Sequence, residues 1–243
     1  MGKIINADEL PDFFDVATLG RVLDGRSKRS IRYSLGKLLS EHKLFKVDRH
    51  FYTKSGDPFF VATLACNGYI GLSSALFILG LKEEMDADVY VCTNTYKRPF
   101  RFLDKKITPI NVSNFFWGTT IVEKDGREIL VSTLPKTIFD MLYRVKYADF
   151  QYLYRALGYD TMKKKDWEEL LGFITDSNTT VIRRTGHLLD GIAPGWFVSK
   201  LKEMSDKAKG VSFFYGHVFD NYDSNWKIFD GLNVTRWKNG IRF

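Results

Sequence analysis

The positive charge of this chain is concentrated in one short segment, residues 26–54. That segment holds nine Lys or Arg and only two acids, a net charge of +7, and the formal net charge of all 243 residues is also +7. The remaining residues are therefore neutral in sum. Charge this local favours a module that faces a polyanion, attached to a near-neutral body. A basic face that is merely solvated would have the same composition. The spacing of the apolar residues therefore has to distinguish a polyanion-binding module from a solvated face.

Apolar residues within this segment recur with the period of a helix. Ile31, Leu35, Leu38 and Leu39 are spaced i, i+4, i+7 and i+8, which places them on one helical face, and Ser27 is positioned to cap the N-terminus. At about 100° per residue, the opposite face carries Arg29, Arg32, Tyr33, Gly36 and Lys37. A glycine on that face costs about 1 kcal/mol of helix stability relative to alanine. Close approach of a partner surface and simple tolerance of a weak position both explain it.

The flanking residues predict a helix-turn-helix with a wing. Residues 16–23 have the pattern of a short helix, and residues 24–27 that of a tight turn before the basic helix. Residues 46–53 alternate apolar and polar side chains around Asp48-Arg49-His50, as a small β-hairpin does. We therefore expect a winged helix-turn-helix over residues 1–57. The turn signal Gly56-Asp57-Pro58 separates it from a body over residues 58–243.

In a helix-turn-helix protein the second helix enters the major groove with its N-terminal residues foremost. Arg29, Arg32 and Tyr33 are then expected nearest the base edges, where arginine can form two hydrogen bonds to guanine. Contacts to phosphates, which orient the protein without reading the sequence, are expected from Arg26, Lys28, Lys37, Lys46, Arg49 and His50. The alternative is a winged helix with a purely structural or protein-binding role.

The body has an α+β pattern, with strands first and helices later. Short helices at residues 59–65 and 72–81 precede a strand at 88–93, and further strands are expected at 101–102 and 107–112. Strands at 119–123 and 128–132 flank Asp125-Gly126, a strong hairpin signal. Helices are then predicted at about 135–142, 149–157, 165–174, 178–189 and 196–208, followed by strands at 213–217 and 226–229.

A second basic stretch lies in the body, where cations are interleaved with aromatic residues. Its cations are Lys97, Arg98, Arg101, Lys105 and Lys106. Two interpretations stay open: the stretch extends the DNA footprint or contacts a partner, or it is an edge strand protected by charge. Arg183 and Arg184 are adjacent on a predicted helix, and we expect both to be solvated.

Several classes of chemistry are not expected. The two cysteines, Cys66 and Cys92, are too few for a four-cysteine zinc module or a disulfide scaffold and are expected to be free and buried. None of the four histidines has a second histidine or a cysteine at metal-ligand spacing. The acids Asp220, Asp223 and Asp230 suit a polar turn better than a calcium loop. We expect no metal, no cofactor and no enzymatic activity.

The sequence also bears on cellular location. The N-terminal residues lack a basic start followed by an apolar run, and the most apolar stretch, residues 69–81, is too short to span a membrane. We therefore expect a cytoplasmic protein without membrane association.

Several stretches, taken in order, resemble the AbiEi family of antitoxins and transcriptional regulators of abortive-infection, type IV toxin–antitoxin systems. The resemblance covers roughly residues 12–232. The stretches are the winged helix ending at His50-Phe51-Tyr52, Gly68 to Leu81, Val89 to Thr93, Val131 to Leu142, Arg183 to Leu189, and Asn225-Trp226-Lys227-Ile228. The first helix, Asp8 to Phe14, departs from the family pattern because it is short and interrupted by Pro11.

The resemblance implies a repressor that binds inverted repeats in its own promoter, with two copies of the chain on the DNA. It also implies a body that antagonises a nucleotidyltransferase-like toxin encoded beside it, without a stable complex between the two proteins. It gives no individual residue of the body a role. The residues themselves leave another function open, a ligand-responsive winged-helix transcription factor.

Overall fold

Helices and strands are both abundant, which confirms the α+β class predicted from the sequence. The computed structural model describes residues 5–22, 27–112, 116–157, 161–216, 219, 221–231, 233 and 234. The chain divides into two compact units built from interleaved segments. The first comprises Met1–Ile70, Asp86–Asn114 and Ile121–Leu130, and the second comprises Gly71–Met85, Phe115–Thr120 and Val131–Phe243.

The first unit begins with a small module of two helices and three strands. In chain order these are β1 (Phe13–Asp15), α1 (Val16–Val22), α2 (Lys28–Ser40), β2 (Phe45–Lys46) and β3 (Phe51–Thr53). The antiparallel sheet has the order β1-β3-β2. Tyr52 of the central strand β3 lies opposite Phe14 of β1 on one side and opposite Lys46 of β2 on the other. The core of this module is a hydrophobic cluster to which α1, α2 and β1 all contribute. Its members are Ile5, Leu10, Phe14, Leu19, Ile31, Leu35, Leu38 and Leu44.

The helix expected over Asp8 to Phe14 is not formed, and the prediction is wrong. Residues Ala7–Glu9 form a single 3-10 turn, and strand β1 follows directly. Pro11 has no backbone N–H to donate to a helix. The rings of Phe13 and Phe14 instead stack on Phe51 and Tyr52 of strand β3, with centroids 5.3 and 5.9 Å apart. Cross-strand aromatic pairing therefore outweighs the helical pattern here.

A second sheet has six strands. The elements are α3 (Pro58–Cys66), β4 (Tyr69–Ile70), β5 (Asp88–Thr93), β6 (Phe100–Phe102), β7 (Lys105–Asn111), β8 (Thr119–Lys124) and β9 (Arg127–Ser132). The strand order is β6-β7-β5-β4-β9-β8, and β5 and β7 are parallel. Strand β6 therefore lies at one edge. Cys66 and Cys92 are buried thiols that form no disulfide, as predicted, and burial raises the pKa of the Cys66 thiol to about 11.

Local turn chemistry accounts for the ends of these elements. Asp57 caps α3 by accepting hydrogen bonds from the backbone N–H groups of Phe59 and Phe60, at 2.7 and 3.2 Å. The predicted Asp-Gly hairpin is confirmed: Asp125 and Gly126 have φ angles of 52° and 71°. Two successive positive φ angles are what a two-residue type I′ turn requires.

The second unit is mainly helical. It contains α4 (Leu72–Ile78), α5 (Leu134–Tyr143), α6 (Phe150–Leu157), α7 (Lys164–Thr175), α8 (Thr179–Leu189) and α9 (Gly195–Lys207), and a small sheet of β10 (Ser212–Phe213), β11 (Tyr222–Asp223) and β12 (Ile228–Phe229). The sheet order is β10-β12-β11. Helix α5 packs on α4 and α7, and α8 packs on α9. No helix in the described part of the chain has the length and apolar character needed to cross a membrane.

The prediction that Arg183 and Arg184 are solvated is wrong. Arg183 is only 1% exposed, and its guanidinium donates to Ser205 Oγ, Ser212 Oγ and the Ala208 carbonyl at 2.9 to 3.3 Å. Arg184 donates to the carbonyls of Leu142 and Phe213, both at 3.1 Å, and burial lowers its pKa to about 10. Carbonyl groups at the ends of α5 and α9 and in β10 need donors, and the two arginines provide them.

Candidate nucleic-acid interface

Helix α2 forms as its sequence predicts. The Ser27 side chain caps it by accepting a hydrogen bond from the backbone N–H of Ser30 at 3.2 Å. Its buried face is Ile31, Ser34, Leu35 and Leu38, and the buried Ser34 hydroxyl accepts a hydrogen bond from the Ile5 N–H at 3.4 Å. One face of the helix is thereby fixed in the module core, and the other is directed outward.

The outward face of α2 is cationic. We define the α2 cationic face as Lys28, Arg29, Arg32, Tyr33 and Lys37, all of which are exposed. Tyr33 is 69% exposed. Lys37 Nζ lies 3.7 Å from Glu41 Oε1, and Lys43 is the closer partner of that carboxylate at 2.9 Å. Hydrogen bonding to Lys43 and the two lysine charges lower the pKa of Glu41.

The three cations at the start of α2 have no such partner. Among the residues that the structure describes, no carboxylate lies within ion-pair distance of Lys28, Arg29 or Arg32. Their donors are therefore available for groups outside the chain, and an arginine fork matches two acceptors at once. Unpaired exposed cations on one helix face suit a polyanionic partner.

The hairpin of β2 and β3 presents a second set of basic residues. Lys46, Arg49 and His50 are exposed. The turn is closed by Asp48, whose Oδ1 accepts hydrogen bonds from the backbone N–H of His50 at 2.7 Å and of Phe51 at 3.1 Å. Sequence analysis did not assign this role to Asp48, although an aspartate that bonds the backbone two residues on is a known turn signal. With Asp48 used inside the turn, the outward charge of the hairpin tip is positive.

The start of helix α1 is hydrogen-bonded to the hairpin. Its first N–H, on Val16, donates to the His50 carbonyl at 3.2 Å. Asp15 caps the helix through the Thr18 N–H at 2.8 Å and the Thr18 hydroxyl, and these hydrogen bonds lower the pKa of Asp15. The cationic residues of α2 and of the hairpin are thus displayed by one hydrogen-bonded module with its own core. Arg26 lies outside the described residues.

The second basic stretch lies at the sheet edge formed by β6. Three of its cations are used within the unit: Lys97 donates to the Ala65 carbonyl at 2.6 Å, Lys105 to the Asp86 carbonyl at 3.3 Å, and Lys106 pairs with Asp88 at 3.0 Å. Arg98 and Arg101 are exposed, and neither has an ion-pair or hydrogen-bond partner among the described residues. The edge position agrees with charge protection of an edge strand, and it leaves two arginines free for a partner.

The comparisons with known proteins establish a fold. No protein-family description matches the sequence, and no curated protein matches it. The structure is similar to a crystal structure of the RV2827C protein from Mycobacterium tuberculosis, with a TM-score of 0.64. The match covers 96% of this chain and 91% of that chain, and the sequences are 13% identical. At this identity the likeness concerns the fold alone.

The arrangement has a definite chemical capacity. Guanidinium and ammonium groups on an exposed helix face can bind phosphate oxygens and the acceptor edges of bases. Among the described residues no group of three or more His, Cys, Asp or Glu side chains is arranged to hold a metal ion. The candidate site is therefore a binding surface built from the α2 cationic face and the hairpin tip.

Proposed function

We propose that this chain is a sequence-specific DNA-binding repressor in which residues 1–57 act as a winged helix-turn-helix. The order of elements supports the proposal: a helix, a second helix that carries the exposed cations, and a two-stranded hairpin whose inner strand also pairs with β1. The observation that carries it is the α2 cationic face, where Lys28, Arg29 and Arg32 are exposed and have no carboxylate partner among the described residues.

The positions of the cations suggest distinct roles. Arg29, Arg32 and Tyr33 lie in the first two turns of α2, the part of a recognition helix that contacts base edges. Phosphate contacts are assigned to the other exposed cations of the module, which are Lys28, Lys37, Lys46, Arg49 and His50. In this division the arginines supply sequence discrimination, and the remaining cations supply affinity and register.

The resemblance to the AbiEi family extends the proposal to a biological role. In that role the chain binds inverted repeats in its own promoter as two copies, and its body antagonises a nucleotidyltransferase-like toxin in the cytoplasm without a stable complex. The passages that carry this resemblance in the body form β5, α4, α5 and α8. Repression and toxin antagonism then depend on different parts of the chain, and they can be tested separately.

Band-shift titrations at several salt concentrations test DNA binding. The probes are a duplex of the region upstream of the gene and an unrelated duplex of equal length. We expect tighter binding to the upstream duplex. For both duplexes the logarithm of the binding constant K should fall linearly with the logarithm of the salt concentration, with a slope of about −0.9 for each phosphate contact. Equal affinity for both duplexes, or no shift at all, would refute sequence-specific repression.

Co-expression tests the antitoxin role. The role requires a nucleotidyltransferase-like reading frame beside the gene for this chain; that frame is expressed from an independent promoter, with and without this chain, and growth is measured. We expect the wild-type chain to restore growth. The Arg29→Ala, Arg32→Ala double variant should also restore growth while it loses the band shift, because antagonism is assigned to the body. Failure of the wild-type chain to restore growth would contradict the antitoxin role. It would not bear on DNA binding, which the band-shift titrations test independently.

A further inference from the structure

Gly36 is the ninth residue of the thirteen-residue helix α2 and is exposed. Its φ angle is not in the left-handed region, so its backbone conformation is open to other residues. A Cβ built at this position would meet no atom within 4 Å. Neither backbone strain nor crowding within the chain therefore requires a glycine here.

Glycine in a helix interior has a cost, because it loses more backbone freedom on folding than alanine does. Alanine at this position would stabilise α2 and would fit the free space. Two explanations remain, simple tolerance of a weak position and a contact that the isolated chain does not show. The open space around Gly172 in α7 is the same, so the position of Gly36 on its helix has to separate the two.

The position of Gly36 on α2 indicates which contact this is. It follows Tyr33 by three residues, Arg32 by four and Arg29 by seven, so it lies on the same helical face as these side chains, one to two turns nearer the C-terminus of α2. In projection down the helix axis, the middle of the α2 cationic face is consequently bare backbone. A surface that Arg29 and Arg32 contact and that continues along this face toward the C-terminus of α2 lies over Gly36.

We infer that the α2 backbone approaches DNA closely at Gly36, and that its missing side chain sets the depth at which Arg29 and Arg32 reach the base edges. This inference rests on the proposed DNA-binding function. Hydrogen bonds between arginine and guanine need donor–acceptor distances of about 2.7–3.2 Å. A side chain at the centre of the face would hold the helix out of the groove by more than that range allows. Phosphate contacts by flexible lysines would persist.

Substitutions at Gly36 test the inference against a matched control. The test variants are Gly36→Ala and Gly36→Gln, and the controls are Gly172→Ala and Gly172→Gln. Gly172 is also helical, exposed and without any atom within 4 Å of a built Cβ, but it lies in α7 of the second unit. Both alanine variants should raise the midpoint of thermal unfolding by about 2–4 °C.

The same upstream and unrelated duplexes then serve as probes in band shifts. We expect Gly36→Ala to weaken binding to the upstream duplex about tenfold and Gly36→Gln about a hundredfold, the loss that one or two bidentate base contacts represent. Binding to the unrelated duplex should change by less than about threefold, with an unaltered salt dependence. The Gly172 variants should bind both duplexes as the wild type does.

The outcomes separate this inference from the function on which it rests. If the wild type prefers the upstream duplex and Gly36→Gln keeps that preference, the role of Gly36 is refuted and repression stands. A lower unfolding midpoint for Gly36→Ala would show that the glycine is needed for the structure of the chain. Equal losses of affinity for both duplexes would show that Gly36 lies at a phosphate contact. Either result overturns the inference. If the wild type shows no preference between duplexes, the proposed function fails and the inference fails with it.

Discussion

The indole ring of Trp226 lies directly on Gly186, and a Cβ at that glycine would be 2.1 Å from ring atom Cζ3. Gly186 belongs to α8, and Trp226, which is only 1% exposed, lies in the turn between β11 and β12. The indole N–H donates to Asp190 Oδ2 at 3.0 Å. Because Gly186 has no side chain, the buried ring of Trp226 can pack directly against α8. This contact joins the small C-terminal sheet to the helix.

Gly186→Ala should destabilise the second unit. Relief of a 2.1 Å contact requires the buried ring to move, and overpacking of this kind costs about 1–3 kcal/mol or more. Chemical denaturation followed by tryptophan fluorescence measures the free energy of unfolding. Gly172→Ala, a helical site with open space, is the control and should be stabilising by about 1 kcal/mol. A Gly186→Ala variant as stable as the wild type would show that the tryptophan can be accommodated elsewhere.

A second contact between α8 and the small sheet is ionic. His187 Nδ1 lies 2.6 Å from Asp223 Oδ2, and Nε2 lies 3.1 Å from Asp230 Oδ2. Sequence analysis placed both acids in a polar turn, whereas the structure directs them onto a buried histidine; Asp220 lies outside the described residues. Burial opposes the charged imidazolium, but hydrogen bonds to Asp223 and Asp230, and their charges, outweigh it and raise the pKa of His187.

This arrangement predicts a pH dependence of stability. A histidine pKa that is raised in the folded state contributes stability that is fully present below the unfolded pKa of about 6.5 and is lost as the pH rises through the folded value. The free-energy difference between wild type and His187→Gln should therefore shrink as the pH increases from 6 to 9. Urea unfolding at each pH measures it. His50→Gln, an exposed histidine in the first unit, is the control, and a difference independent of pH for His187→Gln would contradict the ionic contact.

Arg183 should not be replaceable by lysine. Its guanidinium bonds two hydroxyls and one carbonyl in a buried site, and a single ammonium group cannot reach the same three acceptors in that fixed geometry. We expect Arg183→Lys to lower the free energy of unfolding by about 2–4 kcal/mol, as for other broken buried polar networks. Lys200→Arg on the exposed surface of α9 is the matched control. A stable Arg183→Lys variant would mean that the acceptors find other donors.

Local patterns predicted most of the helices and strands because those elements are determined by their own residues. Strand β5 was predicted with the bounds that the structure has, and the Asp125-Gly126 hairpin followed from the turn chemistry. The Ser27 cap and the spacing of Ile31 and Leu35 were sufficient to define α2. In each of these cases the pattern and the tertiary environment favour the same conformation.

Errors arose where a partner distant in sequence decides the outcome. Strand β1 exists because Phe13 and Phe14 stack on residues nearly 40 positions later, and Arg183 is buried because its acceptors lie on α9 and β10. The pairing of His187 with Asp223 and Asp230 is equally non-local. Sequence analysis placed Arg183 in solvent and the two aspartates in a polar turn, and only the tertiary structure shows what they bind.

For the candidate site, Arg29→Ala and Arg32→Ala should each reduce sequence discrimination more than affinity. Loss of one bidentate contact to guanine removes about 1–3 kcal/mol of preference for the correct base, whereas the phosphate contacts remain. The measurement is the ratio of affinities for the upstream duplex and for that duplex with its inverted repeats scrambled. Arg98→Ala, an exposed arginine near the β6 edge, is the comparison and should leave the ratio unchanged. Variants with an unchanged ratio would remove these arginines from base recognition.

Lys46 should behave differently from the arginines of α2, because it lies on the hairpin and is assigned to a phosphate. Lys46→Ala should weaken binding to the upstream and unrelated duplexes by the same factor and reduce the slope of log K against log salt by about 0.9. Lys200→Ala removes the same charge from an exposed position on α9, where the lysine pairs with Glu203 at 2.9 Å, and it should leave the slope unchanged. A selective loss on the upstream duplex would place Lys46 at a base edge. An unaltered slope would remove Lys46 from the phosphate contacts.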